Sequence, residues 1–92
     1  MSQVVLTTSE TLDIRQVAAQ QTEWLEKLAE PGEVTVDLKR LTKIDTAGVQ
    51  LLISLGKELE ASEREAKWEG LEAVVLPTAA TLGIPASAFG GN

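Results

Sequence analysis

The 92-residue sequence predicts an α/β domain in which helices cover a small sheet. Segments with the alternating pattern of strands take turns with segments of helical period, and glycine or proline lies at several of the boundaries. Apolar residues make up 43% of the chain, which is enough for one modest core. We therefore expect a single domain that spans residues 1–92.

The first half of the chain predicts a strand, a helix and a second strand. The β-branched run from Val4 to Thr8 favours a strand. A helical period follows, with Asp13 as a candidate N-cap, Ile14 on the apolar face and Pro31-Gly32 as the end. Residues 33–38 then alternate strictly between apolar and polar side chains, which predicts a strand.

The second half predicts two further helices and a short strand. From Ala47 to about Glu65 the period is helical, with an apolar first half and a charged second half that includes a Glu60–Arg64 pair. Ala66–Glu69 alternates and predicts a third strand, with the side chains of Ala66 and Trp68 facing inward. A last helix is expected before Gly83, and the tail after it packs back on the domain.

Charge and missing residue types argue against several classes of function. A net charge of −6 disfavours nucleic acid and anionic lipid as partners. The absence of histidine and cysteine removes the usual general base, the thiol nucleophile and the commonest metal ligands, so we expect no catalytic residue, metal or cofactor. Because no apolar segment is long enough to span a bilayer and no signal peptide is evident, we expect a cytoplasmic protein without membrane insertion.

A carboxylate pair formed by Asp37 and Asp45 is the remaining catalytic option. Acids at strand ends usually cap a neighbouring turn or helix, and neither residue belongs to a metal-binding motif. We therefore expect that the protein is not an enzyme.

The segment Asp45-Thr46-Ala47-Gly48, at the start of the second helix, is the candidate functional site. One capping residue stabilises a helix start by about 1 kcal/mol, and a cap with no further function is one interpretation. However, Gly48 in the first turn costs about 1 kcal/mol relative to alanine. A small, flat surface there would let a partner protein approach closely, and a kinase could reach the Thr46 hydroxyl.

Three of the eight basic residues, Lys39, Arg40 and Lys43, lie just before this segment. They could face acidic groups of a partner or offset the charge of an added phosphate, and a solubilising loop is the alternative. The candidate partner-binding residues are therefore Lys39, Arg40, Lys43, Asp45, Thr46, Ala47 and Gly48.

The segment VTVDLKRLTKIDTAGVQLLISLGKEL, from Val34 to Leu59, resembles the signature of the STAS domain, the module of anti-sigma-factor antagonists and of sulfate-transporter tails. That signature is an apolar strand ending in Asp-Leu, a short polar link, and Asp-Ser/Thr-x-Gly opening an apolar helix. The ungapped similarity extends to Gly70. The later segment LGIPASAF is similar to the end of the small STAS subunit of the bacterial lipid-asymmetry ABC transporter.

The resemblance implies a mixed four-stranded sheet with helices packed on one side. It also implies a protein that works by binding another protein. In anti-sigma-factor antagonists the residue corresponding to Thr46 is the phosphoacceptor, and the partner is an anti-sigma factor of the GHKL kinase type; Gly48 would keep the surface flat. In the transporter subunit the equivalent threonine contacts an ABC ATPase, so Thr46 would there be an interface residue only.

Overall fold

The computed structural model describes residues 3–89, which form five strands, three α-helices and one 3₁₀ helix. In chain order these are β1 (Gln3–Thr7), β2 (Thr11–Leu12), α1 (Val17–Leu28), β3 (Glu33–Asp37), β4 (Lys43–Ile44), α2 (Thr46–Ala61), β5 (Ala66–Glu69), α3 (Val75–Thr81) and the 3₁₀ helix Ala86–Phe89. No helix in this part of the chain is long and apolar enough to cross a membrane.

The strands form two separate parallel ladders. The main sheet has three strands in the order β1-β3-β5, and β2 pairs with β4 in a second, two-stranded ladder. The expected mixed four-stranded sheet is therefore wrong for the described residues. Because a helix connects each strand of the main sheet to the next, every new strand can return in the same direction. The two-residue strands β2 and β4 pair only with each other.

The hydrophobic core lies between one face of the main sheet and the helices. Val4, Leu6, Val34 and Val36 are buried in one cluster with side chains from all three helices. The other face carries the row Val5, Thr35 and Lys67, which are partners in the β-ladders. Val5 is 42% exposed, so the helices leave this side of the sheet open.

Helix α1 begins at Val17, three residues later than the sequence pattern indicates. Asp13 is not its N-cap, because the carboxylate accepts hydrogen bonds from the Arg15 backbone N–H and guanidinium. This local bonding stabilises a turn in place of a first helical turn. Ile14 consequently lies outside the helix and is 69% exposed, so its expected place on the apolar face is wrong.

Helix α2 ends at Ala61, because Glu63 adopts a left-handed backbone conformation with φ 54°. The expected Glu60–Arg64 pair within the helix is therefore not formed among the described residues. Arg64 instead donates hydrogen bonds of 2.7–2.8 Å to three backbone carbonyls at and after the end of α1, those of Leu28, Glu30 and Gly32. This contact ties the α2–β5 turn to the α1–β3 loop.

The C-terminal part packs on α2 and β5. Phe89 is 1% exposed, and its ring meets that of Trp68 edge-on at 6.4 Å between centroids. Gly56 allows this approach, because a Cβ there would lie 2.3 Å from the Phe89 carbonyl oxygen. The expectation that the tail packs back is confirmed for Phe89. Ala66 and Trp68 pair with the buried Val34 and Val36 and so lie on the core face of the sheet as expected, but Ala66 is exposed and only Trp68 packs against the core.

Candidate functional site

Asp45 is the N-cap of α2 and organises the candidate site. Its backbone is extended, and its Oδ1 accepts a hydrogen bond of 3.0 Å from the Gly48 N–H. Its Oδ2 accepts a second bond, of 3.2 Å, from the Ile14 N–H. A single carboxylate therefore stabilises the first turn of α2 and fastens the turn before α1 to it.

Thr46 is the first residue of α2 and its side chain is exposed. Because Asp45 supplies the cap, the helix does not need the Thr46 hydroxyl for that purpose. The next residue, Ala47, is half-buried. The structure thus leaves Thr46 exposed, and its role in binding or phosphorylation stays a prediction.

Gly48 is buried, so the expectation that it keeps the outer surface flat for a partner is wrong. A Cβ at this position would lie 2.3 Å from the Leu12 carbonyl oxygen and 2.7 Å from Cγ1 of Ile44. The glycine is therefore required by an internal contact, the close approach of β2 to the start of α2. Among the four residues of the motif, Thr46 presents the most accessible side chain, and Asp45 and Ala47 are partly accessible.

The loop before the site is fixed by backbone hydrogen bonds. The Glu10 carbonyl accepts bonds from the Thr42 N–H, the Thr42 hydroxyl and the Lys43 N–H, at 2.8–3.1 Å. The Asp45 N–H donates to the Leu12 carbonyl at 3.3 Å. These contacts order the β3–β4 loop and the start of α2 before any partner arrives, which lowers the entropy cost of binding.

Lys39, Arg40 and Lys43 are all exposed in or beside this loop. Lys39 lies 3.4 Å from Oε1 of Glu69, in a surface ion pair of the kind that adds little stability. Within residues 3–89 neither Arg40 nor Lys43 makes an ion pair. These two cations are therefore available to an acidic group outside the domain.

Asp37 and Asp45, the candidate carboxylate pair, both have structural partners. Asp37 Oδ1 accepts the Lys39 N–H at 3.0 Å, which caps the turn after β3. Asp45 accepts two backbone N–H groups, as described above. Each carboxylate therefore stabilises local backbone, which is the alternative that the sequence left open for acids at strand ends.

Ile14 is the residue at this site that the sequence pattern missed. It stands exposed beside Asp45, in a turn held by Asp13 and Arg15. The hydrogen bond from the Arg15 guanidinium holds the pKa of the Asp13 carboxyl below its usual 3.8. The sequence Asp13-Ile14-Arg15 is the signal that could have predicted this turn, because an aspartate side chain favours turns by accepting a hydrogen bond from the backbone two residues further on.

Together, these features describe a small α/β domain whose helices lie on one face of the main sheet and whose second helix has a capped, exposed start. Comparison with protein families identifies it more closely: the chain belongs to the STAS domain family. The STAS_2 family model, described as "Mlab, STAS domain", matches residues 1–86. Domains of this family are generally non-enzymatic modules that mediate protein–protein interactions, which places the chain among regulatory or interaction modules. Comparison with curated proteins and with solved structures gives no match.

Proposed function

We propose that the protein is a cytoplasmic regulatory module of the anti-sigma-factor-antagonist type. It binds a partner of the GHKL kinase or anti-sigma class through the start of α2, from Asp45 to Ala47, and through the basic residues Lys39, Arg40 and Lys43. The observation that carries this proposal is the exposed Thr46 side chain on a helix start that Asp45 already caps. An accessible hydroxyl on an ordered surface suits both docking and modification.

The charges around Thr46 support docking of a partner that presents an acidic group. Arg40 and Lys43 are exposed and carry a local positive charge on a chain with a net charge of −6. Complementary charges at the rim of an interface mainly raise the association rate and fix the orientation of the partner. The basic loop therefore orients the partner, and contacts at Thr46 and Ala47 supply close packing.

Phosphorylation of Thr46 would act as a release switch in this proposal. A phosphate adds a charge of about −1.5 to −2 next to Asp45, inside a surface that must lose water when the partner binds. The repulsion from Asp45 and the cost of desolvating the phosphate both weaken the complex. N–H groups in the first turn of α2 that Asp45 does not bind can donate hydrogen bonds to the phosphate oxygens, so the helix need not unfold.

A second candidate is a constitutive STAS subunit of an ABC lipid transporter, in which Thr46 contacts the ATPase and is not a switch. Two observations favour it. The C-terminal segment LGIPASAF resembles the transporter subunit, and the matched family is described by the name Mlab. The same surface serves both candidates, and the identity of the partner distinguishes them.

A photo-crosslinking amino acid at position 46, introduced in the native host, tests this proposal. Mass spectrometry of the crosslinked product identifies the partner: a GHKL-type kinase supports the first candidate and an ABC ATPase the second. Phosphate on Thr46 of the protein without the crosslinking amino acid, detected in the same cells, supports the switch. A crosslinker at Thr81, an exposed threonine at the end of α3, is the matched control. Equal capture of one protein from both positions contradicts a site at the start of α2.

A further inference from the structure

We propose that the groove between α1 and α2, together with Ile14 near the start of α2, extends the partner-binding surface, and that the groove holds an apolar side chain of the same partner. This inference rests on the proposed function, since it assigns the partner a second point of contact. The groove lies apart from the Asp45–Ala47 segment and the basic loop, whereas Ile14 lies beside Asp45.

The groove has an apolar floor and the size of one side chain. Its volume is about 110 Å³, and its lining includes Trp24, Leu28, Leu51 and Leu55. By comparison, an apolar cavity of about 150 Å³ accommodates a benzene molecule. Leu25 forms part of the rim and is 54% exposed. A leucine, isoleucine or methionine of a partner would fill the groove and cover Leu25.

The groove is continuous with the proposed docking site along α2. Thr46, Gln50 and Ser54 are exposed and follow one another at intervals of four residues, so they lie on the same side of the helix. Ser54 lines the groove, about 12 Å from Thr46 along the helix axis. Ile14 lies at the same end as Thr46, because its N–H is bound to the Asp45 carboxylate. One partner can therefore contact all these positions.

The surface between the start of α2 and the groove is poor in charge, although Glu58 lines the groove itself. Charged residues make up 24% of the chain, yet none occurs at positions 16–22 of α1 and its N-cap or at positions 46–56 of α2. The centres of protein interfaces are depleted of charged side chains in this way. Arg40 and Lys43 lie in the loop that leads to Asp45, at the rim of this uncharged surface.

This pattern fits a different protein better than a second copy of the chain. Two copies would bring together domains that each carry a net charge of −6, which opposes association. The occupant is therefore a partner with an exposed aliphatic residue, and with acidic residues placed to meet Arg40 and Lys43.

Photo-crosslinkers at Ile14 and Leu25 test the inference beside the crosslinker at Thr46. We expect all three positions to capture the same protein. Val5, which is 42% exposed on the open face of the sheet, is the control and should not capture it. Capture from Thr46 without capture from Ile14 and Leu25 overturns this inference and leaves the proposed function standing. Capture of a second copy of the chain from Leu25 overturns it as well.

Affinities for the captured partner provide an independent test. Leu25→Glu places a charge at the rim of the groove, and we expect it to weaken binding at least tenfold, whereas Leu82→Glu should not change it. Leu25 and Leu82 are both exposed, at 54% and 42%, so the melting temperatures of the two variant proteins should stay close to that of the wild type. If Leu25→Glu binds the partner with full affinity while Thr46→Glu no longer binds it, the proposed role of the groove is wrong and the proposed function still stands. Full affinity of Thr46→Glu contradicts the proposed function.

Discussion

Replacing Gly48 with alanine separates an internal role of this glycine from a role at the outer surface. If Gly48 faced solvent, alanine would stabilise α2 by about 1 kcal/mol, because glycine is the poorer helix former. In the structure, the added Cβ would lie 2.3 Å from the Leu12 carbonyl oxygen, roughly 1 Å short of the 3.4 Å at which ordinary contact begins. The Leu12 oxygen is a backbone atom and the Cβ is fixed to the backbone of α2, so β2 must move away from α2.

The size of the effect follows from the contacts that such a movement disturbs. Overpacking of this kind costs about 1–3 kcal/mol. A shift of β2 also weakens the bonds from Ile14 to Asp45 and from Asp45 to Leu12, each contributing about 1 kcal/mol. If the two bonds together lose about 1 kcal/mol and the gain in helix propensity of about 1 kcal/mol is subtracted, we expect Gly48→Ala to lower the free energy of unfolding by about 1–3 kcal/mol.

Urea denaturation followed by tryptophan fluorescence measures this difference, since Trp24 is buried and Trp68 is half-buried in the folded domain. Gln50→Ala, at an exposed position of the same helix, is the control and should change the free energy of unfolding by less than about 0.5 kcal/mol. A Gly48→Ala protein more stable than the wild type would refute the proposed contact with β2.

Three further predictions concern the contacts that hold the site and its surroundings. Asp45→Ala should lower the free energy of unfolding by about 1–2 kcal/mol, because two N–H groups lose their acceptor, and a urea titration that finds no loss would contradict the cap. Arg64→Ala should cost about 2 kcal/mol, and Arg64→Lys should recover less than half, since an ammonium cannot span three carbonyls; full recovery by lysine would exclude that geometry. The Asp13 carboxyl should titrate below pH 3.8 by NMR, and Arg15→Ala should raise its pKa towards that value. Because the folded pKa is lowered, the Asp13–Arg15 contact stabilises the fold above this pH and is lost as the pH falls through the folded pKa; identical titration in both proteins would rule the contact out.

The sequence was sufficient to predict the features that depend on neighbours along the chain. Alternation predicted strand β3, and the Asp45-Thr46 pair predicted a capped helix start with an accessible hydroxyl. The β2–β4 ladder could not be predicted, because two-residue strands show no period. The expected mixed sheet was taken from the family resemblance. The strands are parallel because helices connect them, and the resemblance does not fix these connections.

The wrong assignments have two sources: a contact with a distant part of the chain for Gly48, and a local turn that interrupts the helical pattern for Arg64 and Ile14. Gly48 has the same sequence environment whether it faces a partner or Leu12, and only the approach of β2 distinguishes these cases. Arg64 was expected to pair with an acid one turn away, but the left-handed Glu63 directs the chain out of the helix. Ile14 fitted a helical stripe, and the bond from Asp13 to the Arg15 backbone N–H favours a turn there.

Isothermal titration calorimetry with the partner captured from position 46 tests the central claim, that the exposed start of α2 is the binding surface. Thr46→Ala should bind within about threefold of the wild type, and Thr46→Glu at least tenfold more weakly, which corresponds to about 1.4 kcal/mol. Thr81→Glu carries the same charge on α3 and should bind normally. Equal affinities of the wild type and Thr46→Glu would contradict the claim.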